Sequence, residues 1–184
     1  NSVTTYCDSV MLSNASYEYS NAIIHKQGLG FRGFGEVKVY DYVTDKYTSQ
    51  TFDPQRFSVP IKDESYEHSN VYTYNIAITA NKIAQIRLTN KVSTDKLKNV
   101  SLTGSYIYDT YGNVLKEIIN YGNGLETVQS NTFQNINENS IYILGLPLTQ
   151  EVTKKRNGEA AIVGLTKCVY NTNYLPIKKI YHKF

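Results

Sequence analysis

Residues 106–118 read Tyr106-Ile107-Tyr108-Asp109-Thr110-Tyr111-Gly112-Asn113-Val114-Leu115-Lys116-Glu117-Ile118, and their order predicts a strand, a tight corner and a second strand. β-Branched and aromatic residues flank the corner, as suits a pleated, half-buried surface. Within it, Asp109 can accept a hydrogen bond from the backbone of its own turn, and Gly112 permits the positive φ of a sharp reversal. Tyr108 is expected to cover the hairpin's flank. The plan recurs. Cys168-Val169-Tyr170-Asn171-Thr172-Asn173-Tyr174-Leu175-Pro176-Ile177-Lys178-Lys179-Ile180 aligns with it, and Val39-Tyr40-Asp41-Tyr42-Val43-Thr44-Asp45-Lys46 is a fainter copy.

Working outward, strand alternation dominates and helical periodicity is hard to find. Good strand candidates are residues 36–43, 71–79, 83–92, 101–108, 114–121, 141–153, 160–170 and 177–181. Ala80-Asn81-Lys82 forms a turn between two of them. Thr44-Asp45-Lys46, Tyr111-Gly112-Asn113, Gly122-Asn123-Gly124 and Asn157-Gly158 are further reversals at short intervals, as in meandering antiparallel hairpins. Two stretches read as surface loops: residues 53–70, which hold Pro54 and Pro60 with charges between them, and the asparagine-rich residues 131–139. A single helical turn is entertained at residues 94–98, capped by Thr94 or Asp95. The texture is uniform, so residues 1–184 are expected to form one all-β segment.

Composition narrows the function. Seventeen tyrosines stand against no tryptophan and one methionine, and tyrosine suits strands whose rings pack while their hydroxyls reach a partner. A net charge of +3, with lysines spread along the chain, gives no basic face for nucleic acid. The Lys154-Lys155-Arg156 cluster beside Asn157-Gly158 reads as a solvated hairpin tip. No apolar run approaches the ~20 residues of a membrane span. Nor does a charged-then-apolar signal open the chain, which reads as a fragment of a longer polypeptide. Cys7 and Cys168 have no metal-ligand spacing; buried free thiols are the first expectation and a long-range disulfide between them the alternative.

The core Tyr108-Asp109-Thr110-Tyr111-Gly112-Asn113 resembles the YD repeat of the Rhs family, which includes B components of insecticidal Tc toxins and bacterial wall-associated proteins. Gln27-Gly28-Leu29-Gly30-Phe31-Arg32-Gly33-Phe34 resembles the glycine- and phenylalanine-rich signature upstream of those repeats. It departs from that signature at Leu29, where arginine is usual, and at Arg32, where an apolar residue is usual. Tyr142-Ile143-Leu144-Gly145-Leu146-Pro147 resembles the Leu-Gly-Leu-Pro element that follows. The resemblance implies strands winding in a β-sheet spiral that encloses a cavity, a shell able to hold a toxic segment. Its partners would be adjacent repeats of the parent chain and an encapsulated toxin domain, and its place the exterior or surface of a bacterium. The motif residues it carries over are Gly28, Gly30, Phe31, Gly33, Phe34, Tyr108, Asp109, Gly112, Asn113, Gly145, Leu146 and Pro147, all structural. The family's self-cleaving aspartate-rich segment has no counterpart here.

Catalytic and cofactor patterns are weak. Gly28-x-Gly30-x-x-Gly33 matches a dinucleotide-binding pattern in form, but that pattern needs a helix to present its N-terminus to pyrophosphate, and a strand follows. The glycines are expected to bend a strand while Phe31 and Phe34 pin the bend in the core. His25, His68 and His182 lie far apart with no carboxylate at ligand spacing. No Gly-x-Ser-x-Gly elbow occurs. No catalytic residue, cofactor or metal is therefore assigned. A scaffold is the first reading. A carbohydrate- or surface-binding module is the alternative, using tyrosines of residues 41–47 or 66–74.

Overall fold

The computed structural model describes residues 2–25, 28, 30–138 and 141–183, and all of their regular structure is strand. The elements are β1 (Ser2–Cys7), β2 (Val10–Ser20), β3 (Ile24–His25), β4 (Gly30–Phe31), β5 (Glu36–Asp41), β6 (Lys46–Asp53), β7 (Val59–Ser65) and β8 (His68–Ile78). They continue as β9 (Ala84–Asp95), β10 (Val100–Tyr108), β11 (Val114–Gly122), β12 (Leu125–Glu138), β13 (Ile141–Lys155), β14 (Ile162–Tyr170) and β15 (Pro176–Lys183). Thirteen of these run in one open antiparallel sheet in chain order, leaving β1 and β15 as its edges, while β3 and β4 form a separate ribbon. Consecutive pairing is what short turns between alternating strands dictate, since a tight turn returns the chain beside itself. The all-β meander read from the sequence is the observed fold.

By contact density the chain divides into two compact units. One comprises the residues up to Ile76 together with Val92–Val100; the other comprises Ala77–Lys91 and the chain from Ser101 on. Neither unit buries a conventional core. Among the described residues the only buried apolar side chains are Val59, Ile136 and the ring of Pro54, and no large side chain is fully buried. Lateral hydrogen bonding satisfies the backbone, but it does not remove apolar side chains from water.

Four sequence expectations are corrected. Residues 53–70 are not a long loop: a turn at 54–58 leads into β7, and β8 begins at His68. Pro60 is tolerated in β7 because it pairs with Phe52 at a register shift, where a missing donor costs least. The charges persist because they are paired: Glu64 takes Lys62 at 2.5 Å and Lys96 at 2.6 Å. Residues 131–138 lie in β12 rather than in a loop; residue 139 is outside the described residues. No helical turn forms at 94–98. Asp95 does cap a turn there, its Oδ1 accepting from Leu97 N and Lys98 N at 3.0 Å each. Finally, Cys7 and Cys168 are free, but Cys7 is exposed and Cys168 half-buried, since few side chains of either unit are buried at all.

Candidate functional site

The Asp109 corner is held by its carboxylate. Oδ1 accepts from the backbone of Tyr111 and Asn113, both at 2.9 Å. Asp109 N donates to Asn113 O at 3.0 Å, and Gly112 sits at φ 96°. Burial pushes the Asp109 carboxyl up, but hydrogen bonds from Asn113, Asn135 and Tyr111 outweigh it and hold the group below 3.8. The aligned corner repeats this geometry atom for atom. Asn171 Oδ1 accepts from Asn173 N at 3.0 Å and Leu175 N at 2.9 Å, Asn171 N donates to Leu175 O, and Tyr174 takes the positive φ, 60°. Register shifts match as well: Ile107↔Lys116 passes to Tyr108↔Val114, and Val169↔Lys178 to Tyr170↔Pro176.

A further copy was hidden from the sequence. In residues 79–83, Thr79 N donates to Ile83 O at 3.0 Å, Thr79 Oγ1 accepts from Ile83 N at 3.1 Å, and Lys82 has φ 60°. Threonine, asparagine and aspartate can all supply the accepting oxygen, so the copy lacks the Tyr-Asp lettering but keeps the turn. The fainter copy at 39–46 shares only part of it, with Asp41 accepting from Val43 N and from the Thr44 hydroxyl, both at 2.9 Å.

Tyrosines at the strand ends tie these corners to neighbouring backbone. Tyr108 donates its hydroxyl to Leu88 O at 2.7 Å, and Tyr170 to Pro147 O at 2.8 Å. The structure also joins two motifs that are distant in sequence. Asn135 Nδ2 donates to Asp109 Oδ2 at 3.0 Å, while Asn135 Oδ1 accepts from Gly145 N at 2.8 Å and from Asn113 Nδ2 at 3.1 Å. Gly145, at φ 73°, leaves room for no side chain, since a Cβ there would lie 2.5 Å from Asn113 Oδ1. Leu146 pairs with Gln134 and Pro147 with Phe133, between two register shifts. Sequence reading missed Asn135; its signal was the asparagine run itself, which supplies amides that both donate and accept.

The upstream glycine motif lies elsewhere, in the first unit. Gly30 and Phe31 form β4, so no helix follows the glycines, and Gly28, Gly30 and Gly33 all have positive φ; Gln27 and Leu29 fall outside the described residues. Phe34 packs on Tyr19 with centroids 4.8 Å apart and on Phe31 at 5.2 Å. Phe31 is 57% exposed, so the pair marks a surface cluster and does not pin a core. Arg32 Nη2 donates to Gln55 O at 3.5 Å, and Ser58 donates to Arg32 O, tying the motif to the turn before β7.

One face of the same unit forms a depression of about 710 Å³. Across it, Glu18 faces Lys38, Lys38 faces Ser49 and Ser49 faces Glu64, with Ser16, Tyr40 and Tyr47 as the next row. Glu36 accepts from Ser49 at 3.0 Å and pairs with Lys38 at 3.4 Å. The Ser49 hydroxyl foremost, then Lys38, holds the Glu36 carboxyl below its usual 4.5. Among the described residues, no group of three or more His, Cys, Asp or Glu side chains comes together as a metal site would require.

No sequence family matches the chain, and no curated protein matches it. Solved structures do. The chain superposes on part of "TcdB2-TccC3 without hypervariable C-terminal region" with a TM-score of 0.69 at 10% identity, over 90% of this chain and 14% of that one. This is the fold of part of TcdB2-TccC3. Two other TcdB2-TccC3 structures give 0.66 and 0.68, also at 10% identity and 90% coverage of this chain. The chain spans 14–15% of the length of those TcdB2-TccC3 chains. At this identity the likeness concerns fold.

Proposed function

We propose that residues 1–184 act as one non-catalytic structural segment of a secreted or surface bacterial protein of YD-repeat type, forming part of the wall of a β-shell able to enclose a toxin. The observation that carries this reading is the near absence of buried apolar side chains, with Val59, Ile136 and Pro54 alone among the described residues. A sheet of this extent, hydrogen-bonded edge to edge but wet on its faces, is stabilised when further protein covers it. The likeness to part of TcdB2-TccC3 and the recurring corners support a wall built from repeats. The partners are then neighbouring repeats and an enclosed polypeptide.

The test is to express the chain alone and within longer pieces of its parent, then measure melting temperature and binding of an apolar dye. A rise in melting temperature and loss of dye binding in the longer pieces are expected. A cooperative, dye-silent monomer whose stability is unchanged by its flanks would overturn the reading.

A further inference from the structure

The depression over β2, β5, β6 and β7 combines groups that the shell reading does not use. Tyr42 is 54% exposed and Tyr47 44% exposed, and both rings line it beside the half-buried Tyr40. Tyr40 and Tyr42 meet edge to face, centroids 4.8 Å apart, and Tyr40 donates its hydroxyl to Asp45, so this ring is fixed in place. Further along the same wall, beyond the row of Lys38, stands an acceptor, Glu36, oriented by Ser49 at 3.0 Å and paired with Lys38 at 3.4 Å, and exposed Glu18 lies opposite Lys38. The other tyrosine group, at residues 66–74, is spent otherwise. Tyr72 donates to Asp63, and Tyr66 lies under Lys46 at 5.6 Å.

We infer that this depression binds a short neutral oligosaccharide, its apolar sugar faces on Tyr42 and Tyr47 and its hydroxyls donating to Glu18 and Glu36. The chemistry fits on both counts. A pyranose presents C–H groups to a ring face and hydroxyls at its rim, and an aromatic body with a polar tip matches that division. Glu36, already ordered by Ser49, accepts such hydroxyls at little cost in freedom. The site is large enough for such a ligand, since four strands at about 4.8 Å spacing span roughly 14 Å. A purely apolar ligand would strip water from these carboxylates and give no hydrogen bond in return.

Isothermal titration calorimetry of the chain with cellohexaose, chitohexaose and maltohexaose decides the matter. Saturable binding of at least one is expected, weakened about tenfold or more by Tyr47→Ala and by Tyr42→Ala. Tyr142→Ala, at a tyrosine 71% exposed in the other unit, is expected to leave it unchanged. Circular dichroism confirms that each variant keeps its strands. No binding to any of the three sugars would overturn the inference, as would equal loss in Tyr142→Ala. Binding of a decalysine peptide in their place, abolished by Glu18→Gln, would overturn it too, by marking a site for basic peptides. None of these outcomes bears on the shell reading, which turns on burial.

Discussion

A methyl group at Gly145 would stand 2.5 Å from Asn113 Oδ1, on a backbone at φ 73°. Gly145→Ala is therefore expected to cost about 1–3 kcal/mol in urea unfolding. Gly164→Ala is the control: open space surrounds it and its φ is ordinary, so a change within about 0.5 kcal/mol is expected. At Asp109 the prediction concerns pH. Its carboxyl is held below 3.8 in the folded chain, so the unfolded state binds its proton first as pH falls. The stability it confers is present above 3.8 and is lost as pH drops through the lowered folded value. Glu64, held below 4.5 by Lys62 and Lys96, acts in the same direction. Melting temperature should fall on acidification below about pH 4, and Asp109→Asn should flatten that fall while lowering stability at neutral pH. An unchanged acid profile in Asp109→Asn would count against the carboxylate as the corner's clamp.

At the scale of the element, the corners matter more than the strands between them. Tyr108→Phe removes a part-buried hydrogen bond to Leu88 O and should cost about 1 kcal/mol. Tyr170→Phe removes its counterpart on Pro147 O, which is exposed, and should cost less. Urea titrations that reversed this order would argue against equivalence of the repeats. Much of this was legible in the sequence. Strands 8 to 11 and 13 to 15 follow from alternation, and the Asp109 and Asn171 corners from their lettering. β7 was obscured because proline and charge ordinarily signal a loop; here Pro60 sits at a register shift and Glu64 is paired with two lysines. β12 was obscured because asparagine ordinarily signals a turn. Its Asn131 instead donates to Val114 O at 2.9 Å, and Asn135 clamps Asp109 to Gly145. Such ties depend on which strand lies alongside, and local pattern does not carry that information.

Taken as a whole, the sheet has two unlike edges. β1, Ser2–Cys7, is uncharged and contains no proline, whereas β15 carries Pro176, Lys178 and Lys179, the features that discourage edge-to-edge pairing. The chain in isolation should self-associate through β1, and Thr4→Lys should shift it toward monomer in sedimentation velocity; Ile177→Lys on β15 should have little effect. Equal effects from both would exclude an edge-specific contact. The scarcity of buried side chains has a consequence of another kind, for how such a protein changes over time. A packed core constrains every residue that fills it, because each methylene is felt by its neighbours. Here the constraint falls on a few accepting oxygens and positive-φ positions, and Asp109, Asn171 and Thr79 already show three residue types meeting the same demand. Most other positions are free to drift. One fold of this kind can therefore be written in very different spellings, as 10% identity over 90% of this chain at a TM-score of 0.69 illustrates.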